Sequence, residues 1–315
     1  MLSIYKTSTD GRIELVPDIG HNTWLHLVTP TDTELNKISE TLNVPLDILM
    51  EPLDASEQPY ILRRGDIVLI VIHVPIPQAE GDALVDRPPY RMLPLGILHL
   101  RDHLITIVRE DHPLFHAFFS GRISSFATHM KTRITLKIIS ATSQAYLTTV
   151  SRLERMIAQT EEELARTYRN PELYKLMNIN ETLLYMRMSL KQMIFVLRKI
   201  MNGGTIKLYD DDVEVLEDAM IELEQAHDAA SVHQSTLNSV MDAYGNVIQI
   251  NVNGILKLLT ALTVIVAVPT LIASMFSMNV PLYIEDHPHG FELIMAVIMA
   301  VTGVFTYVFY RLRYF

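Results

Sequence analysis

The chain has 315 residues, a formal net charge of −10, 49% hydrophobic residues and no cysteine. The lack of thiols excludes disulfides and thiolate metal centres, and an acidic chain without a basic stripe argues against nucleic acid as a partner. About 250 residues precede its most apolar stretch, ample for a sizeable core.

Residues 1–120 predict a mixed α/β domain. SIYKTSTDGRIELV reads as two short strands around a Thr9, Asp10, Gly11 turn, and Thr23 to Val28 as a further strand. After Pro30, the spacing of Thr31 and Glu34 is a capping box that opens a helix with apolar Leu35, Ile38 and Leu42. A short helix is expected from Pro45 to about Leu53. Asp66 to Pro75 and Leu93 to Glu110 are apolar, β-branched runs that suit buried strands. The turn-rich segment from Pro75 to Pro94 predicts an exposed excursion between them.

Residues 121–250 predict a helical stalk domain. One long helix is expected from about Ser120, with Ile134, Ile138, Leu153, Ile157 and Leu164 on its period. Pro171 opens a second helix carrying Leu176, Leu183, Leu184, Met188, Met193 and Leu197, its methionines read as packing residues, and Asn202, Gly203 and Gly204 stop it. A third begins near Ile206 and meets no proline before Pro269. Its heptad row is Leu216, Leu223, Ala230, Leu237 and Tyr244, with Met220, His227, Gln234, Met241 and Ile248 as companions.

Residues 251–315 predict a transmembrane hairpin, with spans at about 258–276 and 293–310. The first window carries no charge and is about 28 Å long, close to the hydrocarbon core of a bilayer. Sixteen residues, Ser277 to Glu292, separate the two runs. Lys257 precedes the first, Arg311 and Arg313 follow the second, and the loop has neither lysine nor arginine, so both termini are expected in the cytoplasm. The beginning of the chain lacks a basic region followed by an apolar core, and no cleavable signal is expected.

The first span has a small or polar stripe: Asn253, Leu256, Thr260, Thr263, Ala267, Thr270, Ser274 and Ser277. Small residues allow close helix packing, and hydroxyls can bond across a helix pair. Alternatively, the stripe faces water. Two spans cannot enclose a pore, so the second reading requires oligomerisation around the first span. The stripe holds no carboxylate, which suits a cation that keeps its water, and Leu256 and Leu259 suit a gate that closes by dewetting.

Between Tyr209 and Asp228 lie nine acids and no basic residue, either a solvated helix face or a weak site for a hard cation. In the loop, Glu285 and Asp286 with His287 and His289 read as an electrostatic funnel rather than a chelate. No hydrolase, P-loop or dinucleotide motif points to an enzyme.

IASMFSMN closely resembles the end of the first transmembrane helix in the CorA family of divalent-cation transporters, where Gly-Met-Asn follows an aromatic residue. WLHLVTPTDTELNKISETLNVPLDILMEPLD, RRGDIVLIVIHVP and HLITIVRE resemble its soluble domain. The resemblance implies an α+β cytoplasmic domain, a long-helix stalk and two C-terminal transmembrane helices, assembled as a funnel-shaped homopentamer in the inner membrane. It implies magnesium as the transported and regulatory ion, with zinc, cobalt or nickel as alternatives, possibly proton-coupled. Ser277, Met278 and Asn279 would form the selectivity motif, with Asn279 holding the hydrated ion. Asn253, Leu256, Leu259 and Thr270 would line or gate the pore, and Asp218 would bind a regulatory ion. Ser277 stands where the family has glycine, which leaves a reading of another class: a non-conducting membrane sensor or scaffold. Pro281 and Leu282 stand in for the family's acidic loop.

Overall fold

The computed structural model describes residues 1–8, 11–123, 126–167, 170–278 and 288–314, without the side chains of 166, 167 and 170. The chain divides into two compact units, Met1–Asn238 and Ser239–Phe315.

In the first unit the strands are β1 (Leu2–Thr7), β2 (Ile13–Leu15), β3 (Thr23–Val28), β4 (Tyr60–Arg64), β5 (Ile67–Pro77), β6 (Tyr90–His99) and β7 (His103–Val108). They form one sheet in the order β2-β1-β3-β7-β6-β5-β4. Only the β3–β7 pair is parallel among the described strands; it matches Leu25 with Ile105 and His26 with Thr106. Alternation sends Leu25, Leu27, Ile105 and Ile107 to one face. There they join Leu35 and Ile38 of α1 (Asp32–Leu42) and Ile48 and Leu49 of α2 (Leu46–Met50) in one apolar core.

The predicted capping box is present: Thr31 N–H donates to Glu34 Oε2 at 2.9 Å, and Glu34 N–H donates to Thr31 Oγ1 at 3.3 Å. The Thr31 amide, with the start of the chain, holds the Glu34 carboxyl below its ordinary range. Gly96 of β6 lies against Pro52, in a 3₁₀ turn at Glu51–Leu53. A Cβ there would sit 2.2 Å from Pro52 Cγ, so no larger residue fits.

Trp24 lies on the opposite face, fully buried, with Nε1 donating to Thr106 Oγ1 at 2.9 Å. Its ring packs on Phe115, Phe118 and Phe119 of α3 (Pro113–Phe119). The long helices α4 (Lys131–Thr167) and α5 (Asn170–Met201) pack on β5, and α5 also on β6. α6 runs from Asp210 to Phe276 and α7 from Gly290 to Arg311.

The structure corrects several boundaries. The segment from Pro75 to Pro94 is largely built in: β5 reaches Pro77, β6 starts at Tyr90, and Ala79, Leu84 and Tyr90 are buried. Asn178 of α5 secures this segment by donating to the carbonyls of Leu84 and Val85. The helix expected from Ser120 starts at Lys131 instead, behind α3, where Pro113 occupies the first turn and the His112 ring accepts from Leu114 N–H. On α5 the buried row is Leu176, Ile179, Leu183, Met186, Leu190, Met193, Leu197 and Ile200, while Leu184 and Met188 are exposed. A helix apolar on two sides leaves its phase ambiguous in sequence. On α6, which starts at Asp210 rather than Ile206, the heptad row Leu216, Leu223, Ala230 and Leu237 is buried and Tyr244 is not. Its companions are Ala219 and Ala226 rather than Met220 and His227, because small side chains let neighbouring helices approach. The turn residues Thr9 and Asp10 lie outside the described residues.

Candidate functional site

Among the described residues, two helices are long and apolar enough to cross a membrane: the Asp210–Phe276 helix through its apolar part, and Gly290–Arg311. In the apolar part of α6, from 251 on, the residues withdrawn from solvent are Ala261, which is fully buried, and the half-buried Val264, Ile265, Val268, Pro269 and Ile272. Asn253, Leu256, Leu259, Thr263, Ala267, Thr270 and Ser274 are all exposed. At 3.6 residues per turn the two sets fall on roughly opposite faces. The stripe is therefore not used for packing within its own chain, and its partner is water, lipid or another copy.

The hydroxyls of the stripe have a common orientation. Thr260 donates to Leu256 O at 2.8 Å, Thr263 to Leu259 O at 2.7 Å and Thr270 to Val266 O at 2.8 Å. Each hydroxyl spends its one hydrogen on its own helix, which leaves the oxygen as an acceptor. A hydrated cation presents water hydrogens outward, and such a row can accept them. Pro269 has no N–H for the Ile265 carbonyl, which adds a backbone acceptor on this helix.

At the end of α6, Ser277 N–H bonds to Ala273 O at 3.2 Å and its hydroxyl donates to Ser274 O at 2.8 Å. Ser277 is not among the residues with positive φ. Serine thus sits here without strain, and its hydroxyl adds a second donor to the Ser274 carbonyl, which already accepts Ser277 N–H at 3.2 Å. Met278 is exposed. Asn279, Glu285 and Asp286 lie outside the described residues.

The acid run on α6 divides. Asp212 is buried, accepts from Arg133 of α4 at 2.9 Å, and receives Tyr209 N–H at 3.3 Å, so it holds the start of α6. Glu224 pairs with Arg198 of α5 at 2.8 Å. Asp218 is exposed. One turn on, burial raises the Glu222 carboxyl, a hydrogen bond with Gln144 offsets part of this, and the charge of Asp218 adds to it. Among the described residues no group of three or more His, Asp or Glu could hold a metal ion. Asp218 belongs to no such group of three among the described residues.

Comparison with known proteins decides the family. The CorA-like Mg²⁺ transporter protein family matches residues 20–311. The chain belongs to this family. The cobalt/magnesium transport protein CorA of Methanocaldococcus jannaschii is 27% identical over 301 residues, 91% of this chain and 90% of that protein. The complete structure of the CorA magnesium transporter from the same organism aligns with a TM-score of 0.81 at 24% identity, covering 99% of this chain and 98% of that one. The full-length CmaX protein aligns with a TM-score of 0.73 at 16% identity, covering 99% and 97%. These structures share the CorA architecture read from the sequence: an α+β soluble part, a long helix and two C-terminal apolar helices.

The stripe was readable as a periodicity of small and polar residues, but the direction of its oxygens was not. The only available signal was threonine itself, which bonds back to the carbonyl four residues earlier when it sits inside a helix.

Proposed function

We propose that the chain assembles as a homopentamer in the inner membrane and moves divalent cations, Mg²⁺ foremost, as hydrated ions through a central pore lined by α6. The exposed Thr263 and Thr270 oxygens, opposite the covered Ala261 face, carry this reading, with the Thr260 oxygen beside them. Mg²⁺ gives up its water reluctantly, so oxygens that accept from its hydration shell suit it better than carboxylates that would replace that shell. Leu256 and Leu259, both exposed, form the gate, and Asn253 a polar ring before it. Ser277, Met278 and Asn279 form the selectivity motif, with Glu285 and Asp286 concentrating cations outside. Both termini lie in the cytoplasm. A potential of 100 mV, negative inside, favours entry of a divalent ion by about 4.6 kcal/mol.

Asp218, exposed and one turn from Glu222, binds a regulatory divalent ion together with a neighbouring subunit. Loss of that ion at low cytoplasmic concentration opens the pore.

Uptake of Mg²⁺ into proteoliposomes, with an Asn279→Ala control, tests the proposal. Uptake by the parent that falls in the variant supports it; no divalent uptake by the parent refutes it. Cobalt is the second cargo, because the M. jannaschii relative carries it in its name. Competition between the two ions for flux ranks them.

A further inference from the structure

A cavity of about 1,010 Å³ lies wholly within the first unit. Its walls are the turn before β5, the end of β6, the first turn of α4 and the segment 205–212 that leads into α6. His99 of β6 belongs to this lining and is only 9% exposed. Thr135 of α4 gives its one hydroxyl hydrogen to Lys131 O at 3.0 Å, so its oxygen accepts from His99 Nε2–H at 2.7 Å. That fixes the tautomer. Burial, with the Lys131 charge beside it, keeps the ring neutral, and Nδ1 is left as an acceptor. Among the described residues no group donates to Nδ1, and unlike His26 Nε2 it is not sealed in the core; it opens on the cavity.

The same cavity holds the start of a 37-residue helix. The first amide of α4 to find a carbonyl is Ile134 N–H, on Met130 O at 3.0 Å, so those of Lys131, Thr132 and Arg133 are donors without a helical partner. No acid stands in that turn. Lys131 Nζ reaches across to the carbonyls of Leu100 and Arg101, which brings its charge beside His99. Amides and ammonium together favour an anion, phosphate above all. A bare anion is excluded, because the exposed carboxylates of Asp66 and Asp211 also face the space and would repel it, whereas they accept readily from hydroxyls. Tyr209, 58% exposed, adds a flat ring, with Lys207 Nζ 5.2 Å from its centroid. The volume suits a whole small molecule. A phosphate joined to a hydroxyl-bearing sugar and a flat base meets all of these demands.

We infer that this cavity binds a nucleotide, its phosphate on the α4 amides and Lys131, and an amino or hydroxyl donor on His99 Nδ1. One wall is the start of α6, where Asp212 accepts from Arg133 of α4 at 2.9 Å. The ligand is therefore an effector that joins the sheet and α4 to the beginning of that helix. The inference rests on nothing about ion flux.

Calorimetric titration of the full-length protein in detergent and EDTA tests this with AMP, adenosine, ribose 5-phosphate and inorganic phosphate. AMP should bind at one site per chain, at least about tenfold more tightly than any of the other three. Lys131→Gln should weaken AMP about tenfold, the value of a charge-assisted hydrogen bond, and leave adenosine unchanged. His99→Phe keeps a buried ring and removes Nδ1; it should weaken AMP about fivefold and leave inorganic phosphate unchanged. Trp24 fluorescence shows whether each variant is folded. No AMP binding by the parent at millimolar concentration, or adenosine or ribose 5-phosphate bound as tightly as AMP, would overturn the inference, and these results need no variant. A folded His99→Phe protein that binds AMP like the parent would overturn it too. Because the readout is nucleotide binding without divalent ions, failure here leaves the transport proposal standing, and failure of transport leaves this one standing.

Discussion

The hydroxyl of Thr263 donates to the Leu259 carbonyl at 2.7 Å, which turns a side chain usually counted as both donor and acceptor into an acceptor alone. Thr263→Val keeps the shape and removes the acceptor. Mg²⁺ uptake should fall about fivefold, the value of one hydrogen bond of about 1 kcal/mol, while Thr263→Ser should stay near the parent. Equal flux in all three would remove the acceptor from the account.

Ser277 ends α6 without positive φ, its hydroxyl on Ser274 O at 2.8 Å. Ser277→Gly should change uptake by less than about twofold, since no strain is relieved. Conduction that appears only in Ser277→Gly would instead favour a non-conducting sensor or scaffold.

Gly96 faces Pro52 with no room for a methyl group. Gly96→Ala should destabilise the soluble unit by about 1–3 kcal/mol, the usual cost of overpacking. The fluorescence of Trp24, the chain's single tryptophan, reports that unit's melting directly. An unchanged melting temperature would contradict the tight contact.

Burial lowers His26 from 6.5 to about 4 and His99 to about 3. His26 Nε2 is buried without a partner, and His99 Nε2 meets Thr135 Oγ1 at 2.7 Å. Both values lie below that of the unfolded chain, so unfolded histidines take up protons first as the pH falls. Their stabilising contribution is complete above about pH 6.5 and declines towards pH 4. The Trp24 melting temperature should drop between pH 7.5 and 5, and less so in the His26→Phe variant. A flat profile would mean the rings are not held neutral.

Much of the fold was legible from sequence because its signals are local. The Thr31 and Glu34 pair, the β-branched runs of β5 to β7, and the Gly203 and Gly204 stop each act within a few residues. What was missed depends on tertiary partners. The segment from Pro75 to Pro94 looks like a loop until Asn178 bonds its carbonyls. Met188 and Leu184 look like core until α5 shows which of its two apolar sides is covered. In the acid run, nothing local separates Asp212, whose partner Arg133 is 79 residues away, from the exposed Asp218. The stripe on α6 was readable as periodicity, but its orientation opposite Ala261 needed three dimensions.

That orientation is the centre of the account, and the chain's lack of cysteine makes it directly measurable. Single cysteines at Thr263, Ala267 and Thr270, and for comparison at Ala261, Val264 and Val268, can be treated in proteoliposomes with a charged, water-soluble thiol reagent. The account predicts that the first three react and block Mg²⁺ uptake, while the second three stay unmodified. Reaction confined to the second set, or none at Thr263, Ala267 and Thr270 in a transporting protein, would show that the stripe does not line the ion's path.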